Sequence, residues 1–252
     1  MEAQRINAIA RPAPSVFARR RFLGILTLDT RFPRLPGDIG NPASFPVPAL
    51  TRVVHGARVD QAVQPAAGQR AADLLSPFLR AARELEAAGA AAITTSCGFL
   101  VLLQEKLQAQ ANVPVVTSSL MLLPELLGDQ ARVGVLTISA PDLDEDYLLA
   151  AGVPAGRLGD VAIEGVDPRG EFAQAILGDR PALDFVRARR SVVEAARRLR
   201  EREGGLTDVV LECTNMPPYA RAIEEATGLR CWSLLQSERL LAPLRWPQGG
   251  GE

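Results

Sequence analysis

The chain has 252 residues, of which 47% are hydrophobic and 23% are charged. This size and composition allow a large buried core, which excludes a disordered, fibrous or disulfide-stapled mini-protein. The 28 basic and 29 acidic residues nearly cancel, so the charge predicts neither a nucleic-acid partner nor an anionic membrane surface.

Short apolar and β-branched runs alternate with longer segments of helical period, a pattern typical of βαβ units around a parallel sheet. The predicted strands are residues 23–28, 91–96, 113–117, 133–138, 159–163, 208–212 and 229–233. The predicted helices are residues 71–88, 98–111, 120–127, 143–150, 182–203 and 217–226. Proline-rich residues 31–48 cannot hold a persistent helix, and we interpret them as a functional loop or a flap.

The sequence contains an internal repeat. Residues 23–27 match residues 133–137 at an offset of 110, and residues 91–97 align with residues 207–213 at an offset of 116. Two matches in the same order indicate two copies of one α/β half. We therefore predict two pseudo-symmetric, Rossmann-like parallel-sheet domains, residues 22–128 and 129–233, with the active site in the cleft between them.

Cys97 and Cys213 occupy equivalent places in the two copies, each after a strand and before a helix. Because ligands bind at the carboxyl ends of parallel strands, we expect the two cysteines to face each other across the cleft. A helix N-terminus favours a thiolate and also binds carboxylates. A thiolate and a thiol so placed suit removal of a proton next to a carboxylate and its return to the opposite face, without a cofactor.

Polar residues near the cysteines are the candidate substrate ligands, because buried hydroxyls and amides need partners that a carboxylate would supply. They are Thr95, Ser96, Gly98, Thr214 and Asn215. Asp29 is a candidate for holding a substrate amino group, and Thr137 for binding the carboxylate. Capping of a turn or a helix explains these last two equally well. The alternative for the cysteines is that both are small buried apolar side chains.

The cysteine pattern and the lone histidine predict no metal site. The three cysteines include no C-x-x-C pair, and His55 cannot complete a metal site unaided.

Arg19 to Arg21 resemble a twin-arginine export signal, but the following apolar stretch is too short. No stretch approaches the roughly 20 apolar residues of a membrane span. We expect a cytoplasmic protein with a small-molecule partner, no cofactor, no nucleic acid and no membrane; a homo-oligomer stays open.

Residues 211–217 (LECTNMP) closely resemble the second-cysteine motif of the aspartate/glutamate racemase superfamily, commonly Leu-Gly-Cys-Thr-His/Glu-x-Pro. Residues 94–99 stand where that family carries its first cysteine, and residues 23–30 resemble its opening strand. The resemblance implies two α/β domains with the active site between them and a last helix, at about 234–243, that returns to the first half. It also implies cofactor-independent, two-base chemistry at Cys97 and Cys213.

Two departures from the family pattern bear on the substrate. Amino-acid racemases usually follow the first cysteine with Asn and Thr, whereas Gly98 and Phe99 stand here, and Asn215 replaces the usual His or Glu. We expect a racemase or epimerase of a small α-substituted carboxylate, with an amino acid as the expected substrate. The alternatives are an isomerase or decarboxylase of the same superfamily, like maleate isomerase or arylmalonate decarboxylase, and a catalytically silent ligand-binding homologue.

Overall fold

The computed structural model describes residues 21–63 and 67–245. Arg19 and Arg20 of the twin-arginine-like segment lie outside these residues. Within them, no helix is both long and apolar enough to cross a membrane.

The described strands form two separate four-stranded sheets in which every neighbouring pair is parallel. The first sheet contains β1 (Phe22–Leu28), β2 (Ala49–Val54), β3 (Ala90–Thr95) and β4 (Val115–Val116), in the order β2-β1-β3-β4. The second contains β5 (Val133–Thr137), β6 (Val161–Gly165), β7 (Asp208–Leu211) and β8 (Arg230–Trp232), in the order β6-β5-β7-β8. The two orders are equivalent, and the predicted pair of parallel-sheet α/β halves is confirmed.

The helices of the described residues surround these sheets. They are α1 (Val59–Val63), α2 (Ala67–Ala88), α3 (Gln104–Gln108), α4 (Leu123–Asp129), α5 (Glu145–Ala150), α6 (Glu171–Leu177), α7 (Phe185–Arg202), α8 (Ala220–Thr227) and α9 (Glu238–Leu241). Tight 3₁₀ turns precede several of them, at Gly98–Leu103, Ser119–Leu122, Pro217–Tyr219 and Leu234–Gln236. The helix predicted at 98–111 is therefore wrong in its first part, which forms the 3₁₀ turn before α3.

Equivalent glycines let one long helix approach the central strand of each sheet. A Cβ atom on Gly24 of β1 would lie 2.8 Å from Leu85 Cδ1 of α2, and one on Gly134 of β5 would lie 2.9 Å from Leu199 Cδ2 of α7. A larger residue at either position would require the leucine side chain of the helix to move. The repeated glycine therefore serves the same packing function in both halves.

The C-terminal segment packs against the first sheet. Leu234, Leu240 and Leu241 share a buried cluster with Leu23 and Ile25 of β1. The chain thus leaves the second sheet after β8 and ends, within the described residues, against the first.

Candidate active site

The carboxyl ends of the two sheets meet around a small cavity. Between its lining atoms lie about 330 Å³ of unfilled space, counting the part open to solvent. Most of the wall is apolar, and the polar part comes from the segments that follow β3 and β7. The lining residues are Leu28, Phe32, Val59, Val63, Ser96, Cys97, Gly98, Phe99, Ile138, Ile176, Glu212, Cys213, Thr214 and Asn215.

Both predicted cysteines lie in this wall, and both are buried. Burial raises the pKa of the Cys97 thiol to about 12, and the charge of Glu212 acts in the same direction. The N–H groups of Phe99 and Leu100 and the positive charge of Arg34 lower this pKa. Because burial outweighs them, the thiolate expected from a helix N-terminus is not the resting form of Cys97.

Cys213 is also held as a thiol. Burial and then the charge of Glu212 raise its pKa well above the usual range, and Cys97 and Asp38 raise it further. The N–H group of Asn215 acts in the opposite direction. Cys97 is therefore the cysteine with more groups that favour its ionised form.

Glu212 is a third titratable group in the cavity wall, and it is not among the site residues predicted from the sequence. Its side chain is fully buried, and its Oε2 accepts a hydrogen bond of 2.8 Å from the Thr137 hydroxyl. Its Oε1 has no hydrogen-bond partner among the described residues. Burial raises the pKa of Glu212 from 4.5 to about 8, while the Thr137 hydrogen bond lowers it.

The carboxyl group of Glu212 reaches the loop that carries Cys97. A Cβ atom on Gly98 would overlap both Glu212 Oε1 and the Glu212 carbonyl oxygen. Glycine is therefore required after Cys97 for this close approach. The sequence did carry a signal for Glu212, because it stands where the family motif commonly has glycine.

The segment of residues 31–48 connects the two cysteine loops. Cys213 Sγ donates to Asn215 Oδ1 at 3.7 Å, and Asn215 Nδ2 donates to Asp38 Oδ2 at 2.6 Å. Arg34 donates from Nη1 to Asp38 Oδ1 and from Nη2 to Ser96 Oγ, each at 3.2 Å. A continuous set of hydrogen bonds therefore runs from the second cysteine, through this segment, to the residue before the first.

Direct hydrogen bonds also join the two halves. Thr214 Oγ1 donates to the Ser96 carbonyl oxygen at 2.6 Å, and the Ile39 N–H donates to the Thr214 carbonyl oxygen at 3.1 Å. A more exposed contact also joins the halves: the Arg31 N–H donates to Asp179 Oδ1 at 2.6 Å, and the Arg31 Nε donates to Asp179 Oδ2 at 3.1 Å.

The structure brings six of the nine predicted site residues into the cavity lining, Ser96, Cys97, Gly98, Cys213, Thr214 and Asn215. Thr95, Thr137 and Asp29 are not among the lining residues. The Thr95 hydroxyl donates to the Thr117 carbonyl oxygen at 2.7 Å, and Thr137 supports Glu212. Asp29 has a half-exposed side chain that accepts from the Gly56 N–H and lies 3.5 Å from His55 Nδ1. In residues 21–63 and 67–245, no group of three or more His, Cys, Asp or Glu side chains could hold a metal ion.

The sequence pattern of the family described as Asp/Glu/hydantoin racemase matches residues 47–236. Among curated proteins, a dimethylsulfoniopropionate lyase of Durusdinium sp. clade D is 28% identical over 85% of this chain and 72% of its own length. Dimethylsulfoniopropionate lyase 7 of Emiliania huxleyi is 28% identical over 85% of this chain. The match spans only 64% of that relative and 55% of lyase 3 from the same organism.

Solved structures share the fold. A liganded double mutant of arylmalonate decarboxylase has a TM-score of 0.56 at 15% identity, over 92% of this chain and 94% of that one. Glutamate racemase from Francisella tularensis, in complex with D-glutamate, has a TM-score of 0.50 at 14% identity, over 89% of this chain and 78% of that one. At such low identity the likeness shows the fold alone.

Proposed function

Because the chain belongs to the Asp/Glu/hydantoin racemase family, we propose that it removes the proton next to the carboxylate of a small substrate and then expels a leaving group from the neighbouring carbon. The observation that carries this proposal is the placement of the buried Cys97 thiol beside Ser96 in the wall of one small cavity. Such a cavity excludes bulk water and holds a carbon acid beside a sulfur base.

Dimethylsulfoniopropionate is the candidate substrate, because the curated relatives are named for its lyase. It carries a carboxylate at one end and a sulfonium group at the other, separated by two carbons. A base takes a proton from the carbon next to the carboxylate, and that electron pair forms the carbon–carbon double bond. The bond from the second carbon to sulfur breaks with its electrons on sulfur. The products are acrylate, dimethyl sulfide and one proton, which stays on the base and then leaves to solvent.

Cys97 is the proposed base. The N–H groups of Phe99 and Leu100 and the charge of Arg34 favour its thiolate, and a cationic substrate in the cavity would favour it further by its charge. The Ser96 hydroxyl accepts from the Leu28 N–H at 3.3 Å and from Arg34. Its own hydrogen therefore remains to be donated to the substrate carboxylate.

Racemisation of a small carboxylate is the second candidate, favoured by the equivalent positions of Cys97 and Cys213 in the two halves. It requires both cysteines, because one removes the proton and the other returns it to the opposite face. Elimination requires only one, since dimethyl sulfide leaves as a neutral molecule. The position of Asp29 outside the cavity lining supports a substrate that lacks an α-amino group.

The test is to measure dimethyl sulfide in the headspace above dimethylsulfoniopropionate and, separately, loss of α-proton NMR signals of amino acids in deuterium oxide. For elimination we expect Cys97→Ser to lower dimethyl sulfide release by about 10²–10⁴. We expect Cys213→Ser to stay within about tenfold of wild type. Exchange of amino-acid α-protons that needs both cysteines would instead establish the racemase. Neither activity, or activity that both variants keep, would contradict the mechanism.

A further inference from the structure

The proposed proton transfer leaves the Glu212 carboxyl without a role. Glu212 is one of the residues that line the cavity, and its Oε1 is buried with no hydrogen-bond partner in the described part of the chain. Among the described residues that line the cavity there is no Arg, Lys or His. Leu28, Phe32 and Ile138 contribute apolar surface to the same wall.

A buried carboxylate in such surroundings needs a proton or a cation, because burying an unpaired charge is strongly unfavourable. The other carboxyl oxygen, Oε2, shows that the surrounding residues hold the Glu212 carboxyl in a defined orientation. Thr137, which is buried in β5, donates to Oε2 and fixes the orientation of the carboxyl. Gly98 provides the space in which Oε1 lies. The free oxygen is therefore held in place by residues of both halves.

We propose that Glu212 Oε1 binds the cationic end of the substrate, a sulfonium or quaternary ammonium group two carbons away from the carboxylate. This rests on the proposed function for the site of the carboxylate, at the Ser96 hydroxyl. Such groups have no N–H or S–H to donate. Recognition by one buried carboxylate and an apolar wall therefore suits them better than a set of hydrogen-bond acceptors would.

Binding of such a cation is coupled to the protonation of Glu212. Without ligand, the raised pKa keeps the carboxyl protonated up to about pH 8. A cation favours the ionised form, so binding below that pH releases a proton. The affinity for the cation therefore rises with pH up to the pKa of Glu212 and levels off above it. A ligand of the same shape with a neutral group in place of the cation gains nothing from this ionisation.

The experiment compares two ligands by isothermal titration calorimetry. One is 3-(trimethylammonio)propanoate, whose amine is a poor leaving group. The other is 4,4-dimethylpentanoate, which keeps the carboxylate and has a neutral tert-butyl group in place of the trimethylammonium group. At about pH 9 we expect wild type to bind the cation about tenfold or more tightly than 4,4-dimethylpentanoate. At about pH 6 we expect a smaller preference and, in buffers of different ionisation enthalpy, release of a proton on binding of the cation.

Two variants locate the cation site. Glu212→Gln keeps the shape and an oxygen for Thr137, and we expect it to lose the preference at both pH values. Asp29→Asn is the matched control at the other candidate carboxylate, and we expect it to keep the preference. No measurable binding of the cation at the higher pH, equal affinities in wild type, a preference kept by Glu212→Gln, or one lost in Asp29→Asn would overturn the inference.

These measurements do not depend on turnover. A protein that prefers the cation through Glu212 but releases no dimethyl sulfide would keep this inference and lose the proposed function. A protein that releases dimethyl sulfide but shows no such preference would keep the proposed function and lose this inference.

Discussion

The carboxyl of Glu212 makes the free energy of unfolding depend on pH. Its pKa is raised from 4.5 to about 8 in the folded chain, so the folded state keeps the proton longer than the unfolded state. The stability from this protonated group is fully present below about pH 4.5 and is lost as pH rises through about 8. The glutamine of Glu212→Gln cannot ionise, so the variant does not lose this stability as the pH rises. Between these pH values we expect the variant to gain stability over wild type on the order of a few kcal/mol.

Urea unfolding of both proteins at several pH values measures this difference. Glu194→Gln is the matched control, because Glu194 lies in an exposed ion pair with Arg190 on α7. We expect a far smaller effect on the unfolding free energy, because an exposed ion pair contributes only about 0–1 kcal/mol. A difference for Glu212→Gln that stays constant with pH would show that the buried carboxyl is ionised throughout this range.

Gly98 is a second residue at which a single substitution is expected to change stability, because a Cβ atom has no space there. In Gly98→Ala the new methyl group overlaps Glu212 Oε1 and the Glu212 carbonyl oxygen. We expect a loss of about 1–3 kcal/mol in unfolding free energy, because backbone has to move. Gly128→Ala in α4 is the control, since its Cβ meets nothing within 4 Å, and we expect it to be neutral or to stabilise by about 1 kcal/mol. Equal effects in thermal unfolding would contradict the close approach.

Among the elements, the segment of residues 31–48 owes its conformation to contacts distant in sequence. Asp38 is buried and accepts hydrogen bonds from Arg34, from Asn215 and from the Gly40 N–H. In Asp38→Ala the Arg34 guanidinium, whose side chain is 17% exposed, loses its carboxylate partner. We expect a cost of about 3–5 kcal/mol, because a largely buried charge is left uncompensated.

Denaturant unfolding, together with hydrogen exchange of residues 35–45, checks this expectation. We expect faster exchange in that segment of Asp38→Ala, and little change in Glu194→Ala, whose exposed ion pair contributes about 0–1 kcal/mol. Unchanged exchange would mean that the segment is held by its own turns rather than by the second half.

The elements predicted from the sequence are the helices that are long enough to show a helical period and the strands that are fully buried. The predictions missed β2, α1 and α6. β2 is an edge strand with exposed Leu50 and Val53, so it lacks a buried apolar run. α1 and α6 have five and seven residues, too short to show a helical period. The predicted strand at 159–163 begins two residues later, at Val161, because the 3₁₀ turn Ala155–Asp160 precedes it.

At the scale of the whole molecule, the repeat made the relation between the cysteines predictable. Equivalent strands β3 and β7 end beside one cavity. The periodicity of the apolar residues and the nearly constant offset between the two halves were enough to predict this arrangement. Which polar groups meet there depends on asymmetric contacts that no repeat encodes. Ser96 and Glu212 are equivalent by the offset of 116, yet one accepts from Arg34 and the other from Thr137. The cation at the first position comes from the irregular segment, whose path the sequence does not show.

The two halves are also joined by a contact between Arg31 and Asp179, close in sequence to residues of the cavity wall, and we expect this contact to slow ligand exchange. Arg31 precedes Phe32 in the cavity wall, and Asp179 lies three residues after Ile176 in the opposite wall. Their ion pair is largely exposed and therefore contributes only about 0–1 kcal/mol to stability. Asp179 has a φ of +46°, a conformation that glycine adopts readily. Asp179→Gly thus removes the link without backbone strain.

We expect Asp179→Gly to raise the association and dissociation rates of 4,4-dimethylpentanoate together, several-fold, with Kd changed less than about threefold. Exchange broadening of the ligand's methyl NMR signal measures these rates. Salt of about 1 M should speed exchange in wild type but not in the variant, because it screens exposed charges. Asp167→Ala, which breaks an exposed ion pair with Arg169 inside the second half, is the control and should leave exchange unchanged. Identical rates in wild type and Asp179→Gly would show that ligands enter without separating the two halves at this contact.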